Sequence, residues 1–327
     1  MHSGYIKHTL LFIFLLLSLH CSFSQSIKSL HEGNDKDSSY YHLARIGPNE
    51  FWAAGEYGIL NAIDSSGNIS PLNLPMDGLN ILKIEKIDND IFILTDNASI
   101  FKFNYQTKVL TKKAFPQFKN RCFYDMVLTS DNKILLCGGT TGISKGERLI
   151  PHGFIAITNT NLVTPTIVWH SFRKFVWSLK KTSDHKILAA TFNGINTKIL
   201  VTGDGARWSK YESVKGLVHE INLVKSDVIY CGTGGTHYNK NGFIQFEKKR
   251  PLKFKHAGCM WSMQEINEAV IAVSQKGKYF NIFPAHNKAE TVSLPTSFPI
   301  YDIEQISNNK LMLVGHGKTA FIVDLSR

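Results

Sequence analysis

The chain has 327 residues, of which 43% are hydrophobic and 19% are charged, and its formal net charge is +11. This composition excludes a disordered chain, because it supplies enough apolar surface for a large core. The many Gly and aromatic residues indicate a strand-rich globular protein, and an all-β domain can exceed about 200 residues.

The first 24 residues differ from the rest of the chain. Lys7 precedes an apolar run, Leu10–Leu19, and small residues flank a cleavage position before Gln25. This pattern predicts a cleavable secretory signal, and the run is too short for a comfortable membrane span. We therefore expect an exported protein, periplasmic or extracellular, without stable membrane insertion. A lipid anchor on Cys21 is the alternative, although His20 stands where such sites carry a small residue.

One unit then recurs seven times: an apolar strand, a tight polar turn, a second apolar strand, a Gly-rich loop and two more strands. The second strands begin 40 to 53 residues apart, at Glu50, Asp90, Lys133, Lys186, Asp227, Ala269 and Lys310. Repeats of this length with four strands are typical of propeller blades. We predict an all-β fold, a seven-bladed β-propeller of four-stranded antiparallel blades that forms a single domain over residues 25–327.

The ends of the chain predict how the ring closes. The seventh repeat stops after its third strand, whereas a spare β-like segment, Ser26–Leu30, precedes the first inner strand. We expect this segment to pair with the last blade as its outer strand, which protects an open edge.

Two turns carry an Asp–Gly pattern. TGDGARW (Thr202–Trp208) and AIDSSGNIS (Ala62–Ser70) occupy the hairpin between the third and fourth strands of repeats four and one. In an Asp box the Asp stands five residues before the Trp, but Asp204 stands four before Trp208. We interpret the turn as architectural, with Asp204 capping backbone N–H groups and Trp208 packing between blades.

The segment EFWAAGEYGILNAIDSSGNI (Glu50–Ile69) resembles the exported β-propellers with degenerate Asp-box (BNR/sialidase-like) repeats, including the photosystem II assembly-factor-like propellers. The matching positions are Trp52, Gly55, Gly58, Ile59, Asp64 and Gly67. The resemblance is partial in repeat four and faint elsewhere. It implies the fold, and for function it implies a non-catalytic scaffold that binds partner proteins.

The loops between second and third strands are enlarged in repeats three and five. They are Gly138–Gly153 and Gly232–Gly242, and both are rich in Gly. Long loops on a rigid scaffold are common binding positions. Tolerated insertion explains them equally well.

A second pattern marks the start of each inner strand, where an aromatic residue or His usually precedes a polar residue. The pairs are Tyr41-His42, Leu82-Lys83, Tyr124-Asp125, Trp177-Ser178, His219-Glu220, Trp261-Ser262 and Tyr301-Asp302. Sevenfold closure gathers these pairs at the channel mouth, where flat side chains beside carboxylates suit sugars or extended peptides. The candidate binding residues are Tyr124, Asp125, Trp177, His219, Glu220, Trp261, Tyr301 and Asp302. The alternative is that the aromatic residues wedge neighbouring blades while the polar residues satisfy strand ends.

Catalysis by the mouth carboxylates is the second functional hypothesis, as a glycoside hydrolase or lyase of sialidase-like type. A glycosidase needs two nearby carboxylates, but these come from repeats three, five and seven. Sialidases also need three arginines for the substrate carboxylate, and the candidates Arg121, Arg148 and Arg173 all come from blades three and four. We therefore name no catalytic residue.

No cofactor or metal is predicted. The five candidate histidines are not at ligand spacing; they are His152, His219, His237, His256 and His316. The segment GGTTG does not open a helix and so is no phosphate loop. Removal of residues 1–24 leaves a charge of +10, which favours an acidic protein patch or an anionic glycan as partner. We expect no nucleic-acid partner and a monomer, and the basic run Glu247–His256 also fits a solvated edge strand.

The cysteines repeat by position. Cys122 and Cys259 stand just before equivalent inner strands, while Cys137 and Cys231 share a second-strand position. Equivalent positions in different blades are far apart around a ring. We predict four buried, reduced thiols.

Overall fold

The computed structural model describes residues 25–34, 36–76, 78–140, 152–234, 241–286 and 288–326. The predicted signal segment, Arg148, His237 and the centres of both enlarged loops lie outside these ranges. Among the described residues, none of the helices has the length and apolar character needed to cross a membrane.

The described residues form seven four-stranded antiparallel sheets, which are the blades of a propeller. This confirms the predicted fold class. Blade 1 contains β2 (Tyr40–Gly47), β3 (Glu50–Gly55), β4 (Leu60–Asp64) and β5 (Ile69–Pro71), and blade 2 contains β6 (Ile81–Ile87), β7 (Asp90–Thr95), β8 (Ser99–Asn104) and β9 (Leu110–Ala114). Blade 3 contains β10 (Arg121–Leu128), β11 (Lys133–Thr140), β12 (His152–Asn159) and β13 (Thr166–Phe172), and blade 4 contains β14 (Phe175–Lys181), β15 (Ile187–Phe192), β16 (Asn196–Thr202) and β17 (Ser209–Lys215).

The remaining blades follow the same order from the axis outward. Blade 5 contains β18 (Leu217–Val224), β19 (Asp227–Gly234), β20 (Asn241–Phe246) and β21 (Leu252–Lys255), and blade 6 contains β22 (Met260–Ile266), β23 (Ala269–Ser274), β24 (Lys278–Phe283) and β25 (Lys288–Ser293). Blade 7 contains β26 (Ile300–Ser307), β27 (Lys310–Gly315), β28 (Ala320–Asp324) and, outermost, β1 (Ser26–His31). Short 3-10 turns lie at Glu56–Gly58, Pro116–Phe118, Pro284–His286 and His316–Lys318.

Blade 7 joins the two ends of the domain. Strand β1 pairs antiparallel with β28, with Ser26 opposite Asp324 and Ile27 opposite Val323. Leu30 of β1 packs with the apolar cluster between blades 7 and 1, and Ile27 packs with the cluster between blades 6 and 7. The first strand of the domain is therefore held by hydrogen bonds and by apolar contacts.

The core is divided among the seams between blades. Within the described residues, seven apolar clusters are present, and each combines side chains from two neighbouring blades. At the seam of blades 2 and 3, for example, Phe118, Phe123 and Phe154 are fully buried and in ring contact. Because each blade buries one face against each neighbour, we expect the ring to unfold as one cooperative unit.

The turn at Asp204 connects β16 to β17. The Asp204 carboxylate accepts hydrogen bonds from the backbone N–H groups of Ala206 and Arg207, both at 2.9 Å. These donors bring the pKa of Asp204 down to about 2. Trp208 packs against the cluster between blades 3 and 4. The turn thus contributes to blade packing on the face opposite the channel mouth.

The described cysteines are Cys122, Cys137, Cys231 and Cys259, and all four are buried thiols. Burial raises the pKa of each thiol, to about 11 in the case of Cys122. Each thiol therefore stays protonated at neutral pH.

Candidate binding site at the channel mouth

The inner strands begin at the face that carries the second-to-third-strand loops. Arg121, the first residue of β10, pairs with Thr140, the last residue of β11, and the same arrangement recurs in the other blades. We call this side of the propeller the loop face. The channel along the propeller axis opens there.

Every inner strand has a β-bulge near its start. The register shifts skip Tyr41, Leu82, Tyr124, Trp177, His219, Trp261 and Tyr301. A bulged residue has no direct partner on the neighbouring strand, and bulges commonly re-aim a side chain next to a functional site. We call these seven residues the mouth ring, because their side chains line the channel cavity together.

Six members of the mouth ring are joined by ring contacts. The centroid distances, from blade 3 to blade 1, are 4.4 Å for Tyr124–Trp177, 6.4 Å for Trp177–His219, 4.4 Å for His219–Trp261, 5.4 Å for Trp261–Tyr301 and 5.8 Å for Tyr301–Tyr41. Leu82 of blade 2 is the exception in this aromatic series. The structure thus brings all five aromatic and His candidates of the sequence together.

Two indole nitrogens of the mouth ring lack a hydrogen-bond partner among the described residues. Nε1 of Trp177 and Nε1 of Trp261 are both buried from solvent. An unsatisfied buried donor costs about 1–3 kcal/mol. The mouth ring therefore holds two buried N–H groups whose hydrogen bonds are not made by the described residues.

The residue after each bulge reaches the next blade. Asp125 accepts a hydrogen bond from the Leu179 N–H at 2.8 Å, and Glu220 accepts one from the Met263 N–H at 2.7 Å. The Ser178 hydroxyl accepts one from the Ile221 N–H at 3.3 Å. We call these residues the latch ring, comprising His42, Lys83, Asp125, Ser178, Glu220, Ser262 and Asp302.

The three candidate carboxylates therefore have structural partners. Asp125 also lies 3.4 Å from Nζ of Lys83. Asp302 accepts a hydrogen bond from the Leu43 N–H at 2.8 Å and lies 2.6 Å from Nδ1 of His42. These contacts match the alternative in which the polar residues satisfy strand ends, and they leave Asp125 and Asp302 few lone pairs for other work.

Burial shifts the pKa of one latch-ring residue, Glu220, and of one mouth-ring residue, His219. Burial, reinforced by the neighbouring Asp302 carboxylate, raises the pKa of Glu220 to about 7. Burial alone lowers the pKa of His219 to about 4, so its imidazole is neutral at physiological pH. Of these two residues, Glu220 is the one whose pKa lies near neutral pH.

The channel cavity below the mouth ring has a volume of about 380 Å³. Its lining includes neither Arg121 nor Arg173, so the structure does not bring the arginine candidates to the carboxylates. Arg121 instead faces His152, 3.5 Å away. The described residues contain no group of three His, Cys, Asp or Glu side chains that fits a metal ion.

The sequence pattern did not reveal a second set of channel-lining residues, which lies deeper than the latch ring. In six of the seven blades, the residue two positions after the latch residue also lines the cavity. Five of these side chains are polar or charged, namely Glu85, Lys180, Asn222, Gln264 and Glu304. The period of two along a strand predicts this second set once the latch residues are known to face the axis.

The loop face also carries the most exposed apolar side chains of the described residues. Tyr57 is 76% exposed, Ile195 is 68% exposed and Phe172 is 67% exposed. They lie in loops, or next to loops, of blades 1, 4 and 3. A further cavity of about 610 Å³ adjoins the mouth ring at Leu82 and Tyr124.

Comparison with solved structures places the chain among β-propellers. It is similar to a streptogramin B lyase (TM-score 0.69, 12% identity, 92% of this chain and 98% of that chain). It is also similar to YCF48 bound to D1 peptide (TM-score 0.66, 10% identity, 93% and 96%) and to the WD40 propeller domain of Doa1 (TM-score 0.66, 9% identity, 93% and 98%). At these identities the similarity concerns the fold. No protein-family model matches the sequence, and no curated protein matches it.

Proposed function

We propose that this chain is an exported propeller that binds a protein partner at its loop face, as a scaffold or assembly factor of the cell envelope, without catalysis. The mouth ring carries the proposal. Seven bulges aim seven large side chains at one opening, and two of those side chains hold buried N–H donors without partners among the described residues.

The surroundings of the mouth ring support a protein as the ligand. Tyr57, Phe172 and Ile195 add exposed apolar side chains to the loop face, in blades 1, 3 and 4. Aromatic anchors dominate the binding energy of protein interfaces, and Tyr57 and Phe172 are exposed aromatic side chains on this face. The solved structure of YCF48 with D1 peptide is a precedent for this fold as a peptide binder.

A glycan is less well supported. Sugars stack on the open faces of aromatic rings. In the mouth ring, Tyr124 and Trp177 stack on each other at an interplanar angle of 27°, and His219 lies 4.4 Å from Trp261. These ring faces are used for contacts within the protein.

An enzyme is the second candidate, either a glycoside hydrolase or a lyase. The observation in its favour is Glu220, whose raised pKa suits a general base. Fold similarity to a lyase is compatible with it. Against it, Glu220 accepts a structural hydrogen bond from Met263, and the other two carboxylates are bound to strand ends.

Affinity capture tests the proposal. The mature protein is used as bait with an envelope extract of its source organism, beside a loop-face variant (Tyr57→Ala/Phe172→Ala/Ile195→Ala) and a mouth variant (Trp177→Ala/Trp261→Ala). A matched control changes exposed apolar residues of the opposite face, Ile69→Ala/Val109→Ala/Val163→Ala. We expect a specific protein that the wild type and the control retain and the other variants lose, with unchanged circular dichroism. Equal capture by all four proteins contradicts the proposal, and turnover lost in Glu220→Gln supports the enzyme instead.

A further inference from the structure

Each blade ends in an outer strand that has no further strand beside it in the described sheets. The seven outer strands are β1, β5, β9, β13, β17, β21 and β25. The free side of such a strand presents backbone N–H and C=O groups, which can pair with another chain. Proteins usually protect this side with Lys, with Pro or by keeping the strand short.

Six of the outer strands carry this protection. Strand β5 has three residues and ends at Pro71. The other five each carry at least one Lys, namely Lys28 on β1, Lys112 and Lys113 on β9, Lys210 and Lys215 on β17, Lys253 and Lys255 on β21, and Lys288 on β25. Strand β13 is the exception, because its seven residues, TIVWHSF, include no Lys, Arg, Asp, Glu or Pro.

The free side of β13 is uncovered in the described part of the chain. Outside the ladder with β12, its backbone makes one hydrogen bond to described residues, which the Ser171 hydroxyl donates to the Phe172 carbonyl at 3.4 Å. Ile167 is 40% exposed and Phe172 is 67% exposed. A bulge at Val168 interrupts the ladder, but the pairing with β12 is regular from Trp169 to Phe172. The second half of β13 is therefore an open and regular edge.

The charge of the protein indicates which partner fits this edge. The formal net charge is +11, so most of the surface of one copy repels a second copy. Two copies that met through β9, β17 or β21 would bring Lys side chains opposite one another, which destabilises a β-ladder. Two copies that met through β13 would not, because residues 149–172 contain no Lys, Arg, Asp or Glu. An acidic partner strand would instead fit best on the edges that carry Lys.

We propose that two copies of this chain pair antiparallel through their β13 strands, which joins the third blades of both copies into one eight-stranded sheet. Identical strands paired in this way are related by a twofold axis, so the contact closes after two copies. A ladder centred on Trp169, the middle residue, sets Thr166 of one copy opposite Phe172 of the other, and pairs of aromatic and β-branched side chains stabilise such ladders. This dimer replaces the monomer expected from the sequence, and it does not depend on the partner proposed for the loop face.

Sedimentation velocity of residues 25–327 tests the proposal. Small interfaces are weak, so the protein concentration runs from about 1 to about 500 µM. We expect a reversible dimer, and association at least tenfold weaker in Ile167→Lys/His170→Lys, which adds charge at two exposed positions of β13. The control Ser213→Lys/Thr291→Lys adds the same charge at exposed positions of β17 and β25 and should associate like the wild type. A wild type that stays monomeric, or equal association of both variants, overturns the proposal.

Hydrogen exchange read by mass spectrometry locates the contact. Alternate residues of an edge strand direct their N–H groups to the free side. Amides of Thr166–Phe172 should therefore exchange at least tenfold more slowly at the highest concentration than at the lowest, while those of the other outer strands stay unchanged. Slower exchange in a different outer strand overturns the proposal. Protection of β13 that requires an envelope extract rather than a second copy assigns the edge to a partner strand and overturns the dimer.

Discussion

Asp302 and His42 link the last blade to the first. The Asp302 carboxylate lies 2.6 Å from Nδ1 of His42 and accepts the Leu43 N–H at 2.8 Å, and the other ring nitrogen of His42 lies 3.0 Å from the Ile84 carbonyl of blade 2. Three blades are thereby joined at the channel wall. The latch ring is therefore part of what holds the propeller together.

The substitution Asp302→Ala should destabilise the protein. It leaves the buried Leu43 N–H unpaired and removes the partner of His42, at an expected cost of about 2–4 kcal/mol in free energy of unfolding. Urea denaturation measures this, with the exposed Asp227→Ala as control. A loss below about 0.5 kcal/mol, the range of ordinary surface substitutions, would refute the structural role.

The pKa of Asp302 determines the pH below which its contribution to stability is lost. Burial raises the pKa of Asp302, but His42 and the hydrogen bonds from Leu43 and Ser262 outweigh burial, so the net pKa is lowered from 3.8. Its stabilising contribution is complete above pH 3.8 and is lost as the pH falls through the lowered value. The stability difference between wild type and Asp302→Ala should therefore shrink only below about pH 4. A difference that shrinks between pH 7 and pH 5 would assign the effect to another group.

Glu220 predicts the opposite pH dependence. Its pKa rises from 4.5 to about 7 on folding, so the folded protein binds a proton that the unfolded chain has lost. Stability should fall by about 2–3 kcal/mol as the pH rises from 4.5 to above 7. The variant Glu220→Gln lacks this dependence, so its stability relative to that of the wild type should increase as the pH rises. Thermal melts of both proteins from pH 5 to 8 measure the difference, and a constant difference across this range excludes a raised pKa.

The four buried thiols should be unreactive in the folded protein. Burial raises the pKa of each of them, so the nucleophilic thiolate is nearly absent at pH 8. We expect a disulfide reagent such as DTNB to titrate no thiol of the native protein of residues 25–327 and four thiols in guanidinium chloride. An intramolecular disulfide in the mass spectrum, or rapid native labelling, would contradict this.

Removal of β1 should weaken the whole ring. Deletion of residues 25–31 exposes the edge of β28 and the clusters that Ile27 and Leu30 cover, and should lower the melting temperature by roughly 5–10 °C. The finer variant Ile27→Asn/Leu30→Asn should lower it by less, and the control Ser29→Asn, on an exposed position, should not. An unchanged melting temperature in the deletion would show that β1 contributes nothing to stability.

The blades were readable in the sequence because strand hairpins leave a periodic pattern. Second strands begin at the predicted residue in six blades of the described structure, as at Glu50 and Asp227. In blade 4 the strand begins at Ile187 rather than Lys186, because its ladder with β16 begins at the pair Ile187–Thr202.

The mouth ring was predicted as a set of residues, but its bulges were not. A bulge is a property of the pairing between two strands, and the residue types at Tyr124 and Trp177 do not predict it. The contacts of the latch ring could not be predicted from the sequence either, since the partner of Asp125 is a backbone group 54 residues away. A hydrogen bond between two blades depends on the angle by which one blade is rotated from the next. The sequence pattern of a single blade carries no information about this angle.

The pairing of β1 with β28 has a consequence for the order of folding. The residues that meet in this ladder, such as Ser26 and Asp324, lie at opposite ends of the described chain. Contacts of such sequence separation form slowly. Blades 1 to 6 consist of consecutive residues and can form as the chain emerges from a ribosome or a translocation pore, whereas blade 7 must wait for the arrival of β28. The ring is therefore sealed last, when β28 reaches β1, and until then β1 has no strand to pair with.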